Sequence, residues 1–201
     1  RKKGFAGMKQ LWSDLRISLM AAMALALILC GVYPLAVWVL GQSLFPARAN
    51  GSLIVRGDKI VGSVLLSQGF SGAGYFHPRP SMAGRGYDAA SSGGSNLGPL
   101  SKKLADDVRS RAAAYRAENS LSQGTPVPVD AVTASASGLD PHITLENAFF
   151  QAPRVAGARN LSISAVRRMI IACAESRRLR ILGEPRVNVL LLNLALDDLK
   201  K

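Results

Sequence analysis

No charged residue lies between Arg16 and Arg48, and within this interval the stretch from Ile17 to Leu44 is almost purely apolar between Leu19 and Cys30. A helix of roughly 20 apolar residues crosses a bilayer core of about 30 Å. Because backbone N–H groups in lipid must be bonded within the segment, we predict one transmembrane helix over residues 17–40. Pro34 lacks an N–H, and it predicts a kink in the last third of this helix.

The charges on the two sides of this helix are unequal. Five basic residues precede it, against a single acid, Asp14: Arg1, Lys2, Lys3, Lys9 and Arg16. The positive-inside rule therefore predicts a cytoplasmic tail over residues 1–16, so that everything after the helix lies outside the cytoplasm. A cleaved signal peptide is the alternative, since Ala47-Arg48-Ala49 imitates a cleavage site, but the apolar run is much longer than a signal core.

The rest of the chain mixes helical and strand patterns. After a connector over residues 41–58, we predict one α+β extracytoplasmic domain over residues 59–201. Strands are predicted at Lys59–Leu66, Val129–Thr133 and Leu179–Leu182. Helices are predicted at Leu100–Glu118, with Ser101 as its cap and Leu100 on its buried face, from a Thr144 cap to Pro153, and after a Ser162 cap. Val187–Leu196 is a predicted core segment. Residues 67–99 form a long glycine-rich loop, which is typical of a functional segment or one held by a partner.

Composition narrows the range of functions. The 201 residues carry a net charge of +12, of which +8 falls on the residues after the predicted helix. A basic extracytoplasmic surface suits a solvated face, an acidic partner or anionic lipid, and nucleic acid is not expected there. Cys30 lies in the helix and Cys173 is alone in the domain, so no disulfide forms within the domain.

Catalytic and metal-binding signatures are missing from the sequence. There is no phosphate-binding G-x-x-x-x-G-K-[ST] loop, and an anchored hydrolase has no nucleophile–base pair that we can name. Asp140 and His142 are close in sequence, but a metal site needs three or four ligands. We therefore expect no catalytic residue and no bound metal, and we treat Asp140 and His142 as candidate docking residues.

Two polar clusters remain open to more than one interpretation. The loop Ser92-Gly93-Gly94-Ser95-Asn96 has the exposed amides that cradle an anion, but it also fits a tight turn packed on the core. Arg154 and Arg159 could clamp a phosphate or an acidic partner, or form surface salt bridges. We assign Asn96, Arg154 and Arg159 to partner docking as a hypothesis.

Several blocks together resemble a known family. They are Y-F-H-P-R-P-S (75–81), S-G-G-S-N-L-G-P (92–99), V-T-A-S-A-S-G-L-D-P-H-I (132–143), Q-A-P-R-V-A-x-A-R (151–159) and L-G-E-P-R-V-N-V-L-x-L-N-L-A-L-D (182–197). In this order they are similar to the C subunit of the Kdp-type potassium-transporting ATPase. The resemblance covers the chain from the apolar helix to the C-terminus.

The resemblance implies an accessory subunit of a high-affinity potassium pump in the bacterial inner membrane. Its implied partners are a potassium-channel-like A subunit, a P-type ATPase B subunit and a small F subunit, with potassium as the transported ion and ATP as the fuel of the complex. The family is described as a catalytic chaperone for ATP binding, which implies nucleotide contacts at Ser92, Gly93, Gly94, Ser95 and Gln151. Because the predicted topology separates the domain from cytoplasmic ATP, we expect an indirect effect on ATP binding. A membrane-anchored module that contacts ATP through the Ser92–Asn96 loop is the alternative.

Overall fold

A computed structural model of the chain describes residues 3–177 and 179–199, and it divides after Ser52 into two compact units. Arg1 and Lys2 of the predicted tail lie outside the described residues. Within the described residues the first unit contains α1 (Lys3–Ala26), a π-helical turn (Leu27–Val32), α2 (Tyr33–Leu44) and α3 (Pro46–Ala49). The second unit contains β1 (Leu53–Arg56), β2 (Lys59–Ser63), a 3-10 turn (Ala89–Ser91), α4 (Lys102–Glu118), α5 (Val129–Val132), β3 (His142–Thr144), α6 (Leu145–Arg159), α7 (Ile163–Ala172), β4 (Ala174–Glu175), β5 (Arg186–Asn188) and α8 (Val189–Asp198).

The first unit is a long exposed helix. From Met8 to Leu44 it runs for 37 residues and is long and apolar enough to cross a membrane. A single π-helical turn interrupts it just before Pro34, where the N–H of Tyr33 donates to the carbonyl of Ile28, five residues earlier. A proline in the next turn cannot donate a backbone bond, and the wider turn takes up this local change in the hydrogen-bond ladder.

The second unit has the mixed α+β architecture that the sequence predicts. β1 and β2 form an antiparallel hairpin that turns at Gly57, whose φ is +59°. β3, β5 and β4 form a three-stranded antiparallel sheet in that order. The core lies between this sheet and helices α6, α7 and α8. Its fully buried side chains include Phe76, Ile143, Val155, Val166, Ile170, Val187, Leu192 and Leu196.

The predicted helix caps are confirmed. The side chains of Ser101, Thr144 and Ser162 each accept a backbone N–H three residues further on, at the starts of α4, α6 and α7. Each cap satisfies one of the N–H groups that a helix leaves unbonded at its start. Local side-chain hydrogen bonds therefore define where these three helices begin.

Two predictions about the helices need correction. Leu100, expected on the buried face of α4, precedes the cap and is 99% exposed. α6 does not end at Pro153 but continues to Arg159 and closes on Asn160, which has left-handed backbone angles. Ala152, Val155 and Ala156 are fully buried on either side of the proline, so tertiary packing outweighs the one backbone bond that Pro153 cannot make.

Three strand predictions also change. Val129–Val132 is a short helix, because it follows Pro128 and its Asp130 is drawn inward to bond Thr144. Leu179–Leu182 is an exposed turn, since Leu179 and Arg180 both have positive φ. The strand predicted at Lys59–Leu66 forms, but it ends at Ser63, which is the only buried residue of the five. The prediction that Val187–Leu196 belongs to the core is confirmed.

Candidate functional site

A segment of the glycine-rich loop, Gly72–His77, is held by side chains along its whole length. Each of its six carbonyl groups accepts a side-chain hydrogen bond. The donors, in order from Gly72 to His77, are His77 Nε2, Arg154 Nη1, Arg159 Nε, Arg154 Nη1, Asn193 Nδ2 and Gln151 Nε2. A loop without a strand partner has backbone groups that must be satisfied in some other way when it lies against a core. Here helices α6 and α8 supply most of the partners.

Two amide side chains each form a pair of hydrogen bonds with the backbone of one residue of this segment. Gln151 Oε1 accepts the N–H of His77 at 2.7 Å, and Gln151 Nε2 donates to the carbonyl of His77 at 3.1 Å. Asn193 Oδ1 accepts the N–H of Phe76 at 2.8 Å, and Asn193 Nδ2 donates to its carbonyl at 3.0 Å. We call Gln151 and Asn193 the amide clamp. It places Phe76 in the core as a strand partner would.

Gln151, implied by the resemblance as a nucleotide contact, is fully engaged inside the domain. It is 1% exposed. Beyond its two bonds to His77, its Nε2 donates to Asn147 Oδ1 at 2.9 Å, and its Oε1 accepts from Arg154 Nη2 at 2.9 Å. An amide has two N–H donors and two acceptor positions, so all four are occupied.

The two candidate docking arginines also point inward. Arg154 bonds the carbonyls of Ala73 and Tyr75 and the Oδ1 of Asn119, and burial lowers its pKa although Glu118 opposes that effect. Arg159 makes a 2.8 Å ion pair with Asp197 and stacks on the Tyr75 ring, 4.6 Å from its centre. Both arginines therefore position the Gly72–His77 segment.

The Ser92–Asn96 loop packs against a second turn, residues 135–138. Ser92 Oγ and the N–H of Gly93 both donate to the carbonyl of Ser137 at 2.9 Å. A Cβ atom on Gly94 would lie 2.8 Å from the carbonyl oxygen of Ala136. Asn96 has a left-handed φ of 52°. This packing explains the glycine at position 94 without any ligand, and the loop's partners differ from those of Gln151.

Asp140 and His142 lie beside a cleft of about 230 Å³, whose lining also includes Arg79, Thr144 and Arg186. Asp140 accepts from Arg79 Nη1 at 2.9 Å and from the backbone N–H of His142 at 3.0 Å. Burial disfavours the carboxylate, but these bonds outweigh burial and lower the pKa of Asp140 to about 2. Asp140 is thus an ionised carboxylate that fixes the entry to β3.

His77 Nδ1 lies 2.7 Å from Glu118 at another cleft, of about 160 Å³, beside Tyr115 and Gln151. Burial and the Arg154 charge lower the pKa of His77, against the opposing effects of Gly72 and Glu118. Among the described residues, no group of three or more His, Cys, Asp or Glu side chains is arranged to hold a metal ion.

Sequence reasoning missed the polar core that supports these contacts. Asp130 accepts from the N–H and Oγ1 of Thr144 and from Asn147 Nδ2, at 2.7, 3.1 and 3.1 Å. Asn147 in turn accepts from Tyr115 Oη at 2.8 Å and from Gln151. One available signal was Asn193, an amide inside the apolar segment Val187–Leu196, because a polar residue in a buried run needs a partner.

Comparison with known proteins assigns the chain to a family. The family described as "KdpC: K+-transporting ATPase, c chain" matches residues 15–198. The chain is 56% identical over 167 residues to the "Potassium-transporting ATPase KdpC subunit" of Acidobacterium capsulatum, covering 83% of this chain and 88% of that protein. Its identity to the protein of the same name from Mycobacterium tuberculosis is 58% over 168 residues, or 84% and 89% of the two chains. Its identity to the protein of the same name from Rhodospirillum rubrum is 53% over 184 residues, which covers 92% of this chain and 95% of that protein. The match spans both the apolar helix and the α+β domain, and the chain belongs to the KdpC family of potassium-transporting ATPase subunits.

Proposed function

We propose that this protein is a non-catalytic, membrane-anchored accessory subunit of an ATP-driven potassium uptake pump in the bacterial inner membrane. It assembles with a potassium-channel-like A subunit, a P-type ATPase B subunit and a small F subunit. In this role it stabilises the complex and supports ATP binding by the B subunit without contacting ATP itself. The supporting findings are its family membership and its single candidate membrane span.

The engagement of Gln151 is the observation that favours an indirect effect on ATP binding. A nucleotide contact at this position would have to displace a bond to His77, Asn147 or Arg154. Losing one partner of a buried polar group costs about 1–3 kcal/mol. The same bonds instead make the Gly72–His77 segment a fixed feature of the domain, which suits a docking role.

We assign docking to loops rather than to the two arginines alone. Ser71, Gly72 and Ala73 are exposed at the end of the held segment, and Asn96, Gly98 and Pro99 are exposed beyond the Ser92–Gly94 contacts. Arg154 and Arg159 contribute by holding the first of these loops in place. Asp140 and His142 contribute by fixing the cleft of about 230 Å³ at the entry to β3. A pump subunit that covers an external face needs such preformed loops, because ordering them on binding would weaken the complex.

Labelling of single cysteines tests the topology. In a Cys30→Ala, Cys173→Ala background, Ser122→Cys reports on an exposed turn of the domain and Met8→Cys on the start of the span. We expect a membrane-impermeant maleimide to label Ser122→Cys in intact spheroplasts, and Met8→Cys only after permeabilisation. The opposite pattern would place the domain in the cytoplasm and would support direct ATP contact through Ser92–Asn96.

Deletion of residues 45–201 tests the role in assembly. We expect the A and B subunits to lose stable association in detergent when only the helix is supplied. The full-length chain expressed in trans is the control, and it should restore the complex. An intact complex with the truncated chain would contradict the assembly role.

A further inference from the structure

The loop between β4 and β5, residues 176–185, carries a group of exposed aliphatic side chains at its tip. Leu179, Ile181 and Leu182 are 82%, 74% and 59% exposed. Scattered exposed aliphatic residues are ordinary on protein surfaces, but three within four positions at one turn are not. This tip has no role in the contacts of the Gly72–His77 segment.

The base of the loop is closed by charge pairs. Glu175 and Arg186, paired across the two strands, form a 3.0 Å ion pair. Arg177 makes bonds of 3.0 and 2.8 Å to the two carboxylate oxygens of Glu184. Leu179 and Arg180 adopt left-handed φ values of 53° and 65°, which turn the chain sharply at the tip. The aliphatic side chains are thus exposed by a defined turn and not by a frayed end.

The charge of the loop is strongly positive. Its sequence is S-R-R-L-R-I-L-G-E-P, with three arginines and one glutamate. Glu184 already pairs with Arg177, and no carboxylate of the described residues lies within ion-pair distance of Arg180. Arg178 lies outside the described residues and enters only through the sequence. Arginines that flank aliphatic side chains match the phosphates and acyl chains of an anionic lipid surface.

A short linker joins the two units. Eight residues separate the end of α2 at Leu44 from the start of β1 at Leu53. Even fully extended they reach only about 28 Å, and a domain of this size has a radius of gyration of about 15 Å. The linker therefore limits how far β1 can lie from the end of α2.

We propose that the 176–185 loop binds the bilayer surface, with Leu179, Ile181 and Leu182 entering the interface and Arg180 bonding anionic headgroup phosphates. A protein partner is the less suitable occupant. Three side chains on a convex turn bury far less than the roughly 1,000 Å² of a specific protein interface. Lipid requires no matching shape, and weak insertion adds to the attachment that the helix already provides. The inference needs the membrane anchor but not assembly with other subunits.

The test uses the full-length chain alone in nanodiscs. An NBD fluorophore is attached to Ile181→Cys in the Cys30→Ala, Cys173→Ala background, and Val129→Cys, at a position outside the loop that is 72% exposed, is the matched control. In discs with about 30% phosphatidylglycerol we expect blue-shifted emission at 181 and quenching by doxyl lipids several times that at 129. Circular dichroism checks that both variants keep the native helix content.

Lipid charge separates the insertion of the aliphatic side chains from the role of Arg180. Discs of phosphatidylcholine alone, or Arg180→Gln, should reduce the quenching at 181 at least twofold. Equal, water-like emission at 181 and 129 would overturn the proposal. So would burial of position 181 that appears only when the other pump subunits are added, since that result assigns the tip to a protein partner. Quenching that is insensitive to lipid charge would overturn the role of Arg180.

Discussion

Replacing Gln151 by leucine removes one half of the amide clamp while keeping a side chain of comparable volume. Four hydrogen bonds are lost. The backbone N–H and carbonyl of His77 lose their Gln151 partners, whereas Asn147 Oδ1 still accepts from Tyr115 and Arg154 still bonds Ala73 and Tyr75. The cost should therefore come mainly from the two backbone groups of His77.

The magnitude follows from those two groups. A buried polar group left without a partner costs about 1–3 kcal/mol. His77 is only half-buried, so water can reach part of this site. We therefore expect the free energy of unfolding to fall by about 2–4 kcal/mol in total. For a chain of this size such a loss lowers the unfolding midpoint by about 4–16 °C. Gln123→Leu, at an exposed position, is the matched control and should change the midpoint by less than about 2 °C.

Two measurements on the full-length chain in detergent check this expectation. Thermal unfolding followed by near-ultraviolet circular dichroism gives the midpoint. Hydrogen exchange with mass spectrometry shows whether a peptide covering residues 72–77 loses protection before the rest of the domain. A loss below about 0.5 kcal/mol with unchanged exchange in that peptide would refute the clamp, because the segment would then be held by other contacts.

Other consequences of the structure can be measured in the same chain. Gly94→Ala should lower the unfolding midpoint by several degrees, because its Cβ would lie 2.8 Å from the Ala136 carbonyl oxygen. Gly93→Ala has open space around its Cβ and should not lower the midpoint. Equal midpoints for the two variants would show that the loop can shift at little cost. The folded pKa of Asp140, about 2, is below its ordinary 3.8, so its carboxylate stabilises the fold above about pH 4 and this contribution is lost as the pH falls towards 2. Asp140→Asn should flatten the fall in unfolding midpoint between pH 4 and 2, and an unchanged slope would refute this assignment.

Local chemistry made part of the fold predictable. The apolar run identified the first unit, and the caps Ser101, Thr144 and Ser162 identified three helix starts. Short apolar segments were harder. The segment at Val129 has the pattern of a strand, but Pro128 and the buried Asp130 make it a helical turn. The burial of Asp130 depends on its bond to Thr144, which lies outside the segment.

The supporting contacts of the candidate site could not be predicted in the same way. Gln151 and His77 are 74 residues apart, and Asn193 and Phe76 are 117 apart. No local pattern encodes such pairs, since they depend on how α6 and α8 pack on the loop. The two arginines show the same limit: their spacing indicates a clamp, but only the fold shows that they hold this chain's own backbone.

The π-helical turn at Leu27–Val32 has a geometric consequence for the apolar helix. One additional residue in a turn rotates everything after it by about 100° relative to a regular α-helix. Columns of side chains that begin on α1 are therefore out of phase with those on α2. A straight neighbouring helix meets one column on the first half and a different column on the second, so the span can present separate faces to two neighbours at different depths of the bilayer.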